Sequence, residues 1–225
     1  MSARGVFVTG TDTGIGKTWS SCALIVALRA RGLRTVGMKP VASGCVMTAH
    51  GLRNEDAEAL IAVSDPVPAY ADCNPFAYAL PIAPHLASGE AHHVITLQPI
   101  MDACARLARG ADRIVVEGVG GWAVPLSADL MQADLVRALD LPVILVVGLR
   151  LGCLNHALLS ARAIDADGCR LAGWIANHFD TDMSFAQENI DTLRARIAVP
   201  LLGVLDHAAD AGARASVHAL DTRAL

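Results

Sequence analysis

Charge is scarce in this chain. Charged residues make up 18% of its 225 positions against 53% hydrophobic, which excludes a disordered, solvated polymer. A basic excess is missing too: the formal charge is −4 and the pI about 6.0. That argues against nucleic acid as a partner, so any anionic ligand must be gripped by local features. Long apolar runs are also absent. A mean hydropathy of +0.43 invites a membrane reading. Yet the longest run, LPVILVVGL at 141–149, falls far short of the ~20 residues of a spanning helix, and reads as a buried strand. MSARGVFVTG at the start offers no secretory apolar stretch. The six cysteines (Cys22, Cys45, Cys73, Cys104, Cys153, Cys169) form no CxxC pair, which suits a reduced, cytoplasmic protein with incidental thiols. His50, His92, His93, His207 and His218 lack metal-ligand spacing with an acid or cysteine, and no Ser-His-Asp arrangement can be read from spacing. Repeats, low-complexity tracts and linkers are missing, so one domain over 1–225 is expected, a size that buries roughly 70% of its unfolded surface without staples.

What the chain does have is alternation. Short β-branched runs at 5–10, 34–39, 113–118, 142–148, 171–177 and 200–205 are separated by helical patterns at 17–31, 55–63, 100–108, 130–139, 154–165 and 185–197. Most of the runs are apolar on both faces, as strands covered by helices on each side must be. The expected fold is α/β: a doubly wound, mainly parallel sheet with helices on both faces, like that of P-loop NTPases. The stretch 65–93, with Pro66, Pro68, Pro75, Pro81 and Pro84, reads as a loop-rich excursion. From Asp206 onward the helical signal is weak. Ligands of such sheets bind beyond the carboxyl ends of the strands, which directs attention to the residues there.

The first strand runs into GTDTGIGKTW at 10–19. Strand, glycine-rich turn and a Gly-Lys-Thr opening a helix form the context of a phosphate-binding loop. Gly16 lets the backbone approach phosphate oxygens, Lys17 reaches the β- and γ-phosphates, and the Thr18 hydroxyl suits Mg²⁺. Five residues separate Gly10 from Gly16, one more than the usual four. RIVVEGVGGW at 113–122 supplies Glu117 at a strand end, where a metal-directed carboxylate belongs, followed by Gly118, Gly120 and Gly121. MKPVASG at 38–44 places Lys39 at the same edge, where a second cation could face transferring phosphoryl oxygens. Asp56 opens a helical pattern, a position that the helix dipole alone would favour. Asn177, His178, Phe179 and Asp180 follow the fifth strand. They compare with the NKxD of guanine-specific GTPases, but His178 replaces the lysine, so Asn177 reading an adenine edge is preferred. Trp122 and Trp174 are expected in the core.

GTDTGIGKT, MKPVASG, RNEDA, VVEGVGGW, PVILVVGLRLGCLNHALL and LAGWIAN occur in an order that resembles dethiobiotin synthetase, from the first strand to about Leu205. The extra loop residue is a mark of that family. The resemblance implies an ATP- and Mg²⁺-dependent cyclo-ligase. It would carboxylate 7,8-diaminononanoate with CO₂, activate the carbamate as a mixed anhydride with phosphate, and close a cyclic urea. It also implies roles. ATP would lie on Gly14, Ile15, Gly16, Lys17, Thr18 and Trp19, with Gly118, Val119 and Gly120 on the nucleotide side and Asn177 and His178 at the base. Thr18, Asp56 and Glu117 would surround Mg²⁺. Lys39, with Lys17 and Thr13, would carry catalysis, and Ser43 would touch diamine or carbamate. Gly152, Cys153, Leu154 and Asn155 would hold the substrate carboxylate of the other protomer in a homodimer. Gly14 departs from the glutamate that many members carry, and Leu205-Asp206-His207 lacks the proline often found near the adenine. Two alternatives are a cobyrinic-acid-type amide ligase and a partner-regulated ATPase switch of the partitioning kind. The first needs a glutaminase domain for which there is no room. The second usually shows an early loop lysine, absent from Thr11 to Ile15.

Overall fold

In a computed structural model, residues 4–178, 183–206, 220–223 and 225 are described. Six parallel strands form the central sheet: β1 (Gly5–Gly10), β2 (Thr35–Met38), β7 (Arg113–Glu117), β8 (Val143–Gly148), β9 (Leu171–Asn177) and β10 (Leu201–Leu205). Their order is β10-β9-β8-β1-β7-β2. Between them come β3 (Val41–Ser43), β4 (Val46–Thr48), β5 (Gly51–Arg53) and β6 (Phe76–Tyr78). The helices are α1 (Lys17–Ala30), α2 (Glu55–Val63), α3 (Tyr70–Cys73), α4 (Pro84–Glu90), α5 (Leu97–Gly110), α6 (Gln132–Leu139), α7 (Cys153–Ala166) and α8 (Ala186–Arg196).

The period-2 alternation of a strand sorts side chains between two cores. Phe7, Ile114, Val116, Val143, Leu145 and Val147 join the cluster beneath α5, α6, α7 and α8. Val6, Val8, Val115, Ile144 and Val146 join the one beneath α1 and α2. All six residues of β8 are buried, which explains why 141–149 is the longest apolar run. Trp174 and Trp122 are buried as expected, and the indole N–H of Trp122 donates to Asp167 Oδ2 at 2.7 Å. The six thiols are free and buried. Burial pushes Cys22 and Cys73 up to about 12, so they are inert as nucleophiles. Among the described residues no helix is long and apolar enough to cross a membrane.

Two small sheets were not legible. β3 pairs in parallel with β6, and β4 with β5 as a hairpin. Each strand has three residues, too few for alternation to register. The proline-rich excursion at 65–93 holds α3, β6 and α4, and is more regular than expected. Its prolines are accommodated: Pro84 sits in the first turn of α4, where a missing N–H costs nothing. Residues 207–219 lie outside the described part. Beyond them Leu220 and Thr222 are buried, and the N–H of Asp221 donates to Leu202 O at 2.7 Å, so the chain returns to β10.

Parallel pairing puts all six carboxyl ends on one edge. Val8 pairs with Glu117 and Val116 with Met38, so Glu117 stands on the strand between the glycine-rich turn and Lys39. Gly37 leaves no room beneath β2, because a Cβ there would lie 2.7 Å from Leu60 Cβ and 3.0 Å from Ile25 Cδ1. Gly37→Ala should cost about 1–3 kcal/mol by overpacking, read as a lower urea midpoint with an unchanged slope.

Candidate active site

The turn after β1 is built to meet an anion. Gly14 and Gly16 have φ of +73° and +89°, the left-handed region that glycine enters freely. Gly16 has a second constraint, since a Cβ there would lie 2.2 Å from Asn177 Nδ2. Helix α1 begins directly at Lys17 with no side-chain cap and no acid in its first turn. Its free N–H groups and positive dipole end are thus left for a ligand. The loop is braced from the neighbouring strand ends. Thr11 N donates to Val146 O at 3.0 Å, and Asn177 Nδ2 donates to Ile15 O at 2.8 Å. The Asp12 carboxylate accepts from Thr13 N at 2.7 Å and from Arg150 Nη2 at 2.5 Å. Lys17 Nζ donates to Asp12 O at 2.8 Å. Burial, and next the charge of Lys39, hold its pKa down to about 8.

Beside the loop lies a four-residue polar cluster. Lys39 Nζ donates to Glu117 Oε1 at 2.6 Å, Asp56 Oδ2 at 2.8 Å and Gly118 O at 3.3 Å. The Thr18 hydroxyl lies 2.8 Å from Asp56 Oδ1 and 2.9 Å from Glu117 Oε1, and its one proton serves either carboxylate. Burial disfavours charge on both Lys39 and Asp56. Attraction outweighs it: Glu117 first and then Asp56 hold the lysine pKa above its ordinary value, and Lys39 holds the Asp56 pKa below its own. Lys17 and Lys39 are the only lysines in the chain, and every other cation among its 18 Lys and Arg is arginine.

A cavity of about 680 Å³ opens over this cluster. Of the residues singled out in the sequence, Thr13, Gly14, Gly16, Lys17, Thr18, Lys39, Ser43, Asp56, Glu117, Val119, Gly120 and Gly121 line it. The Ser43 hydroxyl is buried without a partner on that wall. Others stand behind or away from it. Ile15 is buried, and Gly118 is packed so tightly that a Cβ would meet Gln132 Oε1 at 2.6 Å and the Phe7 ring at 2.9 Å. Asn177 lies behind the loop with its Oδ1 unpartnered, and His178 donates its N–H to Leu205 O. Trp19 packs against the α1–α2 core. Gly152, Cys153, Leu154 and Asn155, at the start of α7, do not line the cavity. Phe179, Asp180, His207 and His218 lie outside the described residues.

Several residues carried no sequence signal. Pro81, Ile82, Ala83 and Pro84 come to the cavity from the excursion, and Val124 from the loop after β7. Gln132 secures that loop, accepting from Val119 N at 2.9 Å and donating to Gly121 O at 2.7 Å. The Asp12–Arg150 pair spans 138 positions, and such a pairing is visible only once the fold is known.

The oxygen set suits a small divalent ion. Thr18, Asp56 and Glu117 converge, and Glu117 Oε2 is buried with no hydrogen-bond partner. One hydroxyl and two carboxylates make a hard but incomplete shell, the kind that Mg²⁺ fills together with phosphate oxygens and water.

A family model described as an AAA domain matches residues 4–215. The fold agrees with P-loop nucleotide-binding proteins. The cell division protein FtsY of Thermotoga maritima superposes with a TM-score of 0.52 at 16% identity, covering 90% of this chain and 61% of that one. The MinC:MinD cell division complex of Aquifex aeolicus gives 0.55 at 13% identity, covering 91% and 81%. The chain is thus an α/β P-loop protein. ATP-dependent dethiobiotin synthetase BioD of Xanthomonas euvesicatoria pv. vesicatoria is 59% identical over 220 residues, 98% of each chain. The BioD of Xylella fastidiosa strain 9a5c is 57% identical over 207 residues, 92% of each. This chain belongs to the dethiobiotin synthetase family, whose members are ligases.

Two outcomes follow from the loop. Gly16→Ala should reduce nucleotide affinity by at least about tenfold, measured by calorimetry, because both its φ and its contact with Asn177 exclude a methyl group. Lys17 should make that affinity pH-dependent. Its amine loses charge above about 8 in the free protein, whereas a bound triphosphate favours the ammonium form. Binding at about pH 8.5 should therefore take up a proton, and affinity should fall as pH rises through that range. Calorimetry in buffers of different ionisation heat reads the uptake directly.

Proposed function

We propose that this chain converts 7,8-diaminononanoate, CO₂ and ATP into dethiobiotin, ADP and phosphate. Relatives named for that product, matched over 98% of both chains, support the reading. The observation that carries it is the placement of Lys17 and Lys39 on either side of Glu117 in one cavity. Its lining also includes Ala42, Pro81, Ile82 and Val124, compatible with an alkyl chain.

One amine of the substrate adds to CO₂ and loses a proton, giving a carbamate. A carbamate oxygen attacks the γ-phosphorus of ATP, and ADP leaves. The second amine then attacks the carbonyl of the carbamic-phosphoric anhydride, expelling phosphate and closing a five-membered urea. The intermediate exists because a carbamate oxygen is a poor leaving group and phosphate a good one. The protein contributes position and charge. Lys17 and the free N–H groups of α1 hold the β- and γ-phosphates. Lys39 donates to carbamate and transferring phosphoryl oxygens. Thr13 lies between nucleotide and substrate, and the Ser43 hydroxyl meets diamine or carbamate. Val119 and Gly120 flank the nucleotide from the cavity wall with Gly118 behind them, and Asn177 and His178, at the end of β9, are assigned to the base. A magnesium ion held by Thr18, Asp56 and Glu117 would neutralise phosphate charge. The start of α7, Gly152 to Asn155, holds the substrate carboxylate of the other protomer in a homodimer. In support, α7 has no side-chain cap and neighbouring Leu151 is 96% exposed. The protein works in the cytoplasm as one domain.

Incubation with the diamine, bicarbonate, Mg²⁺ and ATP should yield ADP, phosphate and a cyclic urea by mass spectrometry. ATP hydrolysis indifferent to the diamine would instead favour an ATPase switch. Lys39→Ala should lower kcat by about 10²–10³, with MgATP still bound and the fold verified by circular dichroism. Normal turnover by that variant would remove the role given to Lys39.

A further inference from the structure

The amine of Lys39 serves two masters. All three of its N–H donors are used, on Glu117 Oε1, Asp56 Oδ2 and Gly118 O, and the residue is 3% exposed. Yet it lines the cavity where a substrate oxygen would need a donor. The two carboxylates that hold it are also the pair that suits a divalent ion. Counted as charges, Asp56 and Glu117 share the cavity with Lys17 and Lys39, Asp12 and Arg150 neutralise each other, and the exposed Glu55 adds one further negative charge at the wall. A metal ion arriving alone meets two carboxylates already held by an ammonium, with only the solvent-exposed Glu55 in excess. One arriving with a polyphosphate brings its own compensation.

We propose that Lys39 is the resident counter-ion of the metal cradle, and that a divalent cation entering with the nucleotide displaces its ammonium from Asp56 and Glu117 into the cavity, where it becomes a donor to the substrate. The inference rests on reading Thr18, Asp56 and Glu117 as the metal's ligands. The acceptor pattern favours exchange. Glu117 Oε1 is shared by the Lys39 ammonium and the Thr18 hydroxyl, while Oε2 of the same carboxylate has no partner. A cation taking Oε2 and the Thr18 oxygen therefore gains an unmet acceptor and competes for the shared one. The backbone of Lys39 is fixed, so the movement is confined to the side chain. Its N–H donates to Cys73 O at 2.7 Å, its carbonyl accepts from Asn74 Nδ2 at 2.7 Å, and Pro40 follows. The device makes the donor available only when metal and nucleotide are both in place.

With two lysines in the chain, protein labelled with [ε-¹³C]lysine gives two side-chain signals, assigned with Lys17→Met. A non-hydrolysable ATP analogue is added first with a chelator and then with Mg²⁺. The Lys17 signal should move in both steps and the Lys39 signal only in the second. A Lys39 signal indifferent to Mg²⁺ while Lys17 responds overturns the exchange and leaves the nucleotide site standing. Silence from both overturns the site itself. Independently, Mn²⁺ alone, followed by electron paramagnetic resonance, should bind Lys39→Met at least about tenfold more tightly than the unaltered protein, because the carboxylates lose their counter-ion. Equal or weaker binding overturns the proposal. Should that variant not fold, the spectra of the unaltered chain decide.

Discussion

The ammonium of Lys39, wedged between Asp56 and Glu117, is the contact on which the architecture of the site depends. Those three residues come from the end of β2, the first turn of α2 and the end of β7, and Thr18 ties α1 to the same carboxylates. A buried carboxylate such as Glu117 cannot be kept in a protein interior without a partner, and removing one member of such a pair costs about 3–5 kcal/mol. The cluster is thus a structural joint as well as a chemical one. Four elements are aligned by one set of charges, and the glycine-rich turn lies directly beside it.

The order of strands makes that joint possible. After β1 the chain passes to the outer position, β2, and only then returns to fill the gap with β7. The strand between the two lysines is therefore supplied last, and it brings the carboxylate. β8 then opens the other half of the sheet, and its end contributes Arg150, which holds the loop through Asp12. The loop is thereby buttressed from β8 and β9 on one side and faces the charged cluster on the other. Rigid support on one flank and adjustable charge on the other is what a site for a large polyanion requires.

How much of this could be read in advance follows from the range of each interaction. The six core strands and the main helices were visible because burial imposes periodicity on runs of four or more residues. Lys17, Thr18, Lys39 and Glu117 were visible because each sits at a strand end or helix start, where doubly wound sheets put their ligands. Asp56 was ambiguous by itself, since a first-turn acid satisfies the helix dipole equally well. Its pairing with Lys39 brings it into the polar cluster. The hairpin at 46–53 and the β3–β6 ribbon were not visible, because three-residue strands leave no pattern. Nor were Asp12–Arg150 and the Gln132 brackets, whose partners are brought together by tertiary folding alone. The proline-rich excursion looked like a loop because proline opposes long helices; it says less about short ones that begin at proline.

The distribution of basic side chains has a consequence for the chemistry of the molecule as a whole. A guanidinium keeps its proton under any condition in which a protein survives, so the arginines that furnish the outer surface are deaf to alkali. The side-chain ammonium groups, which can release a proton and then act as nucleophiles, are both confined to the cavity beside the glycine-rich turn. Reagents that seek lysine, whether acyl donors, aldehydes or coupling agents for immobilisation, find no lysine side chain on the exterior. For this chain, acylation of any lysine is an event inside that one cavity.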